Sequence, residues 1–306
     1  MRIAIMGSGG VGGYLGCRLA AAGADVTFIA RGAHLAAIRE TGLRITSALG
    51  DVTLRPAQAS NDPAAVGPVD LVIFAVKLYD TEAAATATTP LVGPHTGVVT
   101  FQNGVDAPEV LARRLGAGHV VGGVAKIASV VAEPGVIRHT GTMAAFLFGE
   151  LDGTRSERVV ALAEACAAAA VDHEVSADIR REIWDKMAFL ATFAGLTSLL
   201  RLPIGPIRKD PATRALLRAA LEEAFAVARA KGVDLPDDFV ERTLAHCDRL
   251  PFEMKSSMLQ DLERGRRLEL PWLSGMIARL GGELGVATPT HAFIATALKL
   301  HVDGRG

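Results

Sequence analysis

The chain has 306 residues, half of them apolar, with 32 basic and 33 acidic side chains and a formal net charge of −1. The length suffices for two domains, and the apolar content excludes a disordered chain. The balanced charge gives no support for a nucleic-acid surface or a polybasic membrane patch.

Three cysteines lie far apart, with neither metal-ligand spacing nor an even number for a disulfide framework. This favours small buried thiols in a reducing cytosol, and no metal site is expected. No segment approaches the ~20 apolar residues of a membrane span. Glycines interrupt the apolar stretch in the first 22 residues, and Arg2 is the only basic residue ahead of the last few residues of this stretch. We therefore interpret the stretch as mature protein rather than as a signal peptide. The sequence therefore predicts a cytoplasmic protein that binds neither nucleic acid nor membrane.

A glycine pattern, G-x-G-x-x-G, opens the chain at Gly7, Gly9 and Gly12. Residues 2–6 read as a buried strand, the residues after the glycines show helical spacing of apolar side chains, and residues 25–30 read as a second strand. In such a strand–turn–helix–strand unit the glycines permit a tight turn, close approach of a pyrophosphate, and close helix–strand packing. The alternative is a glycine-rich loop without a ligand, which this complete context disfavours. The predicted dinucleotide-binding residues here are Gly7, Ser8, Gly9, Gly10, Val11 and Gly12.

The end of the second strand bears on which dinucleotide is bound. Chains that bind NAD usually carry an acidic residue there, whereas this chain has Arg31. A guanidinium suits a 2′-phosphate by its charge and by its fork of donors, so we predict NADP(H). The alternative is a solvated surface arginine.

Two further strands end in polar residues. The runs 69–76 and 97–101 read as buried parallel strands, followed by Lys77 and by Asn103. Ligands of open α/β sheets bind at the carboxyl ends of strands, so both side chains are candidates for the cofactor site. Ordinary turn chemistry is the alternative, especially for Asn-Gly.

The predicted secondary structure changes near residue 153. Residues 119–149 are rich in strand signals, whereas the later sequence predicts helices at 155–170, 178–200, 211–231, 236–248, 253–264 and 271–285, with a last one from about 289. The predicted fold class is an α/β Rossmann-like N-terminal domain, residues 1–177, followed by an all-α C-terminal domain, residues 178–306. The cleft between two such domains is the expected active site.

Two charged residues stand out in the helical half. Lys186 lies in an otherwise apolar helix, where lost solvation would lower its pKa and make it a competent proton donor; the alternative is a lysine that reaches water at the helix edge. Glu269 lies just before a predicted helix start, where a purely structural role is the alternative. The basic run before it, 264–267, favours a solvated face.

These residues, in this order, resemble the ketopantoate reductase family over essentially the whole chain. The similarity is carried by the glycine motif, Arg31, Val76-Lys77, Gln102-Asn103-Gly104, Pro134-Gly135 through His139 and Gly141, Trp184-x-Lys186, and Ser256-Ser257-Met258-Leu259-Gln260-Asp261 with Glu269. The last set is long and much more specific than the glycine motif.

The resemblance implies NADPH-dependent reduction of a small 2-oxo acid, 2-dehydropantoate (ketopantoate), to the 2-hydroxy acid pantoate. It implies that Lys186 is the general acid and that Glu269 lies near the nicotinamide and the substrate. It further implies that Ser257 holds the substrate carboxylate, and that the cofactor contacts include Lys77, Asn103 and Ala128. Asn103 and Lys186 are also substrate contacts on this basis, and a homodimer through the helical domain is expected.

Three positions depart from the family pattern. The family usually carries asparagines where this chain has Leu190, Ala194 and Ile204. Apolar groups there remove hydrogen bonds to the substrate, each worth ~0.5–1.5 kcal/mol net. Two alternatives therefore stay open: the same fold and cofactor acting on a more apolar 2-oxo acid or an imine, and a non-catalytic NADP(H)-binding protein.

Overall fold

The chain begins with β1 (Arg2–Met6), α1 (Gly10–Ala21) and β2 (Asp25–Ile29), and the two strands pair in parallel. Side chains of β1 alternate between two apolar clusters, with Ile3 and Ile5 in one and Ala4 and Met6 in the other. This strand is therefore buried on both faces, as strands of a parallel sheet covered by helices are. The predicted strand–turn–helix–strand unit is confirmed.

The computed structural model describes residues 1–305, and its first unit, Met1–Glu182, is built on one sheet. The elements after β2 are α2 (Gly32–Thr41), β3 (Leu43–Thr46), β4 (Val52–Leu54), β5 (Gln58–Ser60), α3 (Pro63–Val66), β6 (Val69–Phe74), α4 (Thr81–Thr88), β7 (Val92–Thr100), α5 (Ala107–Leu115), β8 (Val120–Glu133), β9 (Val136–Glu150), α6 (Glu157–Ala168) and β10 (Asp172–Val175). The strand order is β4-β3-β9-β8-β7-β6-β1-β2-β5, with β10 beside β9. The strands from β5 to β8 along this order are parallel, so the carboxyl ends of β2, β1, β6 and β7 follow one another along a single edge.

The second unit, from Ile183 onward, is helical among the described residues. Its helices are α7 (Ile179–Leu200), α8 (Ile204–Lys209), α9 (Pro211–Ala230), α10 (Phe239–Arg249), α11 (Ser257–Glu263), α12 (Ser274–Leu284) and α13 (Pro289–Ala297). The Rossmann-like unit followed by a helical unit confirms the predicted fold class. The boundary between the two units falls inside α7, after Glu182. The sequence predicts this domain boundary in the segment before α7.

Several predicted element bounds are wrong for local reasons. The helices expected from 236 and 253 begin at Phe239 and Ser257, because Pro236 and Pro251 each open a hydrogen-bonded turn instead of a helix. The helix expected over 271–285 is divided into a 3-10 turn, Leu270–Trp272, and α12, because the backbone between them leaves the helical region. No bounds were predicted for α2 to α5, for α8 or for the short strands β3 to β5.

α7 is the described helix whose length and composition would suffice to cross a membrane, but 67% of its apolar window is buried. A mostly buried helix of this kind is typical of the core of a soluble protein. The cysteine thiols are also buried, and burial raises the pKa of Cys17 to about 12. Their burial agrees with the sequence interpretation.

Candidate active site

The glycine-rich turn connects β1 to α1 and is shaped by two close backbone approaches. Gly7 has a φ of +97°, and a Cβ there would lie 2.7 Å from the backbone nitrogen of Val76, just beyond β6. A Cβ on Gly12 would overlap the carbonyl oxygen of Gly7 and lie 2.9 Å from Ile5 on β1. Both positions therefore require glycine, for the turn and for helix–strand packing respectively.

Gly9 differs from these two glycines because a Cβ there would meet no atom within 4 Å. It is the N-cap residue of α1, in extended conformation, and no side chain caps this helix end. The first N–H groups of a helix lack partners within the helix and carry partial positive charge. The open approach and these donors fit the pyrophosphate of a dinucleotide.

Two more features fix this turn against its neighbours. The buried Ser8 hydroxyl donates a hydrogen bond to the carbonyl oxygen of Ile29 at the end of β2, at 3.0 Å. On the other side, a Cβ on Gly10 would overlap the carbonyl oxygen of Ser129 on β8. Ala128, which precedes Ser129, is exposed at an irregularity in the β8–β9 pairing, between the pairs formed by Ile127 and by Ser129. Such irregularities often adjoin functional sites.

Arg31 lies two residues after the end of β2 and is the N-cap residue of α2. The residue is exposed, and its guanidinium makes no hydrogen bond or ion pair with any residue in the range 1–305. It is thus available to an anion, at the position that follows the second strand of the dinucleotide unit.

Lys77 and Asn103 follow the adjacent strands β6 and β7 at the same sheet edge as the glycine turn. The loops that carry them are joined by Gln102, whose buried side-chain amide donates to the carbonyl oxygen of Val76 at 3.0 Å and to Thr81 at 2.8 Å. No role for Gln102 was predicted from the sequence. Its place directly after a buried strand, beside Asn-Gly, is the signal that could have identified it.

In the second unit, Lys186 lies on α7 and is partly buried between Trp184 and Met187, which are both buried. The preceding residue, Asp185, is held by Arg242 of α10 at 2.7 Å. This ion pair fixes the first half of α7 to α10, and with it the turn that carries Lys186.

α11 carries Ser257 and is joined to α7 through two hydroxyl groups. Ser256 is the buried N-cap of α11 and accepts from the N–H of Leu259 at 3.0 Å. Its oxygen also lies 2.8 Å from the hydroxyl of Thr197 on α7, and Thr197 donates to the carbonyl oxygen of Phe193. Since Thr197 uses its proton in that bond, Ser256 donates to Thr197. Ser257 itself is exposed at the first position of α11.

Glu269 is 8% exposed and lies between α11 and the 3-10 turn that precedes α12. The prediction that Glu269 directly precedes an α-helix is therefore wrong, because this 3-10 turn lies between Glu269 and α12. The first residue of α12, Ser274, donates to the carbonyl oxygen of Ala191 on α7 at 3.2 Å. The segments on both sides of Glu269 are thus attached to α7, the helix that carries Lys186.

The three positions that depart from the family pattern lie on α7 and α8. Leu190 is partly exposed, whereas Ala194 and Ile204 are 1% and 0% exposed. The backbone N–H of Ile204 donates to the carbonyl oxygen of Met254 at 3.0 Å. Two of the three positions are therefore closed, apolar core positions of the helical unit.

Comparison with known proteins assigns the chain to a family. The family model described as "Ketopantoate reductase PanE/ApbA" matches residues 3–153, and its C-terminal counterpart matches residues 178–302. The chain belongs to the ketopantoate reductase family. It is an oxidoreductase of this family, and the Rossmann-type fold implies a nicotinamide cofactor.

Individual relatives cover nearly the whole chain. A protein of Mesorhizobium japonicum described as 2-dehydropantoate 2-reductase is 37% identical, covering 99% of this chain and 98% of the relative. The crystal structure of a PanE/ApbA family ketopantoate reductase from Ralstonia eutropha has a TM-score of 0.90 at 36% identity, with 98% of each chain covered. D-Mandelate dehydrogenase, in a ternary structure with NADH and anilino(oxo)acetate, has a TM-score of 0.88 over 98% of each chain. At 23% identity this last likeness shows the fold alone.

Proposed function

We propose that this protein reduces ketopantoate to pantoate with NADPH, and that Lys186 is the general acid. One observation carries the proposal. The segments that bear Ser257 and Glu269 are both hydrogen-bonded to α7, the helix that bears Lys186. Family membership supplies the reaction class, and the glycine turn with Arg31 supplies a site that fits a phosphorylated dinucleotide. A small-molecule 2-oxo acid is therefore the proposed substrate.

When bound, the reduced nicotinamide supplies the hydride that reaches the carbonyl carbon of the substrate. Negative charge then develops on the carbonyl oxygen, and the Lys186 ammonium stabilises this charge and donates a proton to it. Lys186 regains its proton from water after the 2-hydroxy acid forms. Ser257 holds the substrate carboxylate, and Glu269 orients the substrate and the nicotinamide end of the site.

The cofactor contacts proposed in the first unit are the glycine turn, Lys77, Asn103 and Ala128. Asn103 also contacts the substrate in this proposal. The preference for NADP(H) rests on Arg31, because an exposed guanidinium that has no partner among residues 1–305 is available to a 2′-phosphate. The fold by itself leaves the choice of dinucleotide open, since a protein of the same fold is described with NADH.

Steady-state NADPH oxidation with ketopantoate tests the proposal. Replacing Lys186 with alanine should lower kcat by about 10²–10⁴-fold, the usual contribution of a general acid, while NADPH still binds. Lys231→Ala is the matched control, because Lys231 is an exposed lysine of the same unit at the end of α9. Unchanged turnover in the Lys186 variant would refute the assignment of the acid.

A second candidate is reduction of a more apolar 2-oxo acid or an imine, favoured by the buried apolar side chains of Ala194 and Ile204. Trimethylpyruvate is the sharpest comparison, because it is ketopantoate with the hydroxyl group replaced by hydrogen. A pocket built to bind that hydroxyl strongly rejects the analogue, whereas an apolar pocket accepts it. A higher kcat/KM for trimethylpyruvate would support this second candidate. If no 2-oxo acid or imine is turned over while NADPH binds, a non-catalytic NADP(H)-binding protein is the remaining interpretation.

A further inference from the structure

His34, in the first turn of α2, is hydrogen-bonded through both ring nitrogens to backbone groups. The N–H of Gly135, in the β8–β9 turn, donates to Nδ1 at 3.0 Å, and Nε2 lies 2.8 Å from the carbonyl oxygen of Ser8. An amide N–H only donates and a carbonyl oxygen only accepts. In this arrangement Nδ1 accepts a hydrogen bond, and the Nε2–H group donates one to the carbonyl oxygen of Ser8.

The bond to Ser8 has a consequence for the next residue. In a trans peptide the carbonyl oxygen of Ser8 and the N–H of Gly9 point in opposite directions. The N–H and hydroxyl of Ser8 both donate to the carbonyl oxygen of Ile29, at 3.3 and 3.0 Å, so Ser8 is held on both sides. His34 thus completes the contacts that orient the N–H of Gly9, the N-cap residue of α1 and a donor available to phosphate.

His34 also lies one turn from Arg31. The N–H of Leu35, the residue after His34, donates to the carbonyl oxygen of Arg31 at 3.3 Å, so both residues belong to the same end of α2. The imidazole therefore connects the glycine turn to the residue proposed to bind the 2′-phosphate. These two anion sites must keep a fixed separation to engage one dinucleotide at the same time.

We propose that His34 is a positioning residue for the cofactor, which orients the Ser8–Gly9 peptide and couples the glycine turn to Arg31. The coupling to Arg31 rests on the proposed use of NADP(H), whereas the orientation of Gly9 applies to either dinucleotide. His34 itself touches the protein backbone, and it acts on the cofactor only through Gly9 and Arg31.

The test is direct binding of NADPH and NADH, measured by fluorescence titration without substrate. His34→Ala should weaken NADPH binding about tenfold, with a smaller loss for NADH, because NADH has no 2′-phosphate to lose alignment. His34→Gln keeps a donor and an acceptor on one terminal group and should recover part of the loss. His119→Ala is the matched control, since His119 makes a 2.9 Å contact with the carbonyl oxygen of Thr96 in the same unit. It should leave both affinities unchanged.

A double-mutant cycle with Arg31→Ala tests the coupling. The combined loss of NADPH affinity should be smaller than the product of the two single losses, because His34 acts partly through Arg31. Independent, multiplicative losses would overturn the coupling, and unchanged affinities in the His34→Ala variant would overturn the whole proposal. Equal wild-type affinity for NADPH and NADH would instead refute the NADP(H) preference. In that case, the loss of affinity for both dinucleotides in the His34→Ala variant would still test the orientation of Gly9.

Nitrogen NMR of the wild-type imidazole provides a measurement that no folding defect can obscure. The expected result is that the neutral ring is the Nε2–H tautomer. A proton on Nδ1 would contradict the bond from Gly135 and overturn the proposal. Should His34→Ala fail to fold, the Gln variant and this spectrum decide the question.

Discussion

Replacing Arg31 with alanine is the most direct test of the cofactor preference. Charge-assisted hydrogen bonds are worth about 1.5–3 kcal/mol. Arg31 is exposed, so water and salt screen part of its attraction to a phosphate, and the lower end of that range applies. We therefore expect about 1.5 kcal/mol, which is a roughly tenfold rise in the Kd for NADPH, with the Kd for NADH unchanged.

The assay is fluorescence titration of each dinucleotide at two salt concentrations. The difference between wild type and the Arg31→Ala variant should shrink at high salt, because an exposed ionic contact is screened. Arg39→Ala is the matched control on α2, since Arg39 is exposed but its guanidinium donates to the carbonyl oxygen of Ala59 at 3.1 Å. Arg31→Lys should retain part of the preference, because lysine keeps the charge and loses the forked geometry.

Two outcomes would refute the reasoning. An equal loss of affinity for NADH and NADPH would mean that Arg31 supports the site in general and does not recognise the 2′-phosphate. No loss for either dinucleotide would mean that the guanidinium is a solvated surface group.

Two further predictions concern stability. Gly7→Ala should lower the free energy of unfolding by about 1–3 kcal/mol in denaturant titration, whereas Gly23→Ala should cost less, because Gly23 has the same φ of +97° but an open surrounding. Burial lowers the pKa of His291 below 6.5, since its charged form is disfavoured in the folded protein. The unfolded chain therefore binds a proton that the folded protein does not. As a result, the free energy of unfolding should fall as the pH drops below about 6.5, by at most ~1.4 kcal/mol per pH unit. His291→Gln should reduce this slope. An unchanged slope in that variant would assign the acid sensitivity to other groups.

The glycine turn was predictable from sequence because its requirements are local. Gly7 needs a positive φ, and Gly12 needs close approach within the same short unit. The family motifs also identified Lys186, Ser257 and Glu269 as residues of interest. Their contacts depend on the folded protein.

Long-range backbone contacts explain what sequence reasoning missed. His34 bonds to Ser8 and Gly135, which are 26 and 101 residues away along the chain. Gln102 bonds to the carbonyl of Val76, 26 residues earlier. Such partners leave no periodic or spacing signal, because any residue type presents the same backbone groups. The helix predicted from Pro236 begins later in the structure for a different reason. A proline is compatible both with an isolated turn and with the first turn of a helix, so its position alone does not decide between them.

The apolar positions on α7 and α8 bear directly on the choice of substrate in the proposed function. An asparagine in place of Ile204 would bring an amide to a site with no exposure, and each unpaired polar group there costs about 1–3 kcal/mol. Ala194 is similarly enclosed, so neither position can acquire a substrate-binding amide unless its surroundings change with it. The proton donor and the cofactor turn can therefore be retained while the pocket changes its preference. For this chain, the ratio of turnover between ketopantoate and its deoxy analogue discriminates the substrate more sharply than family membership does.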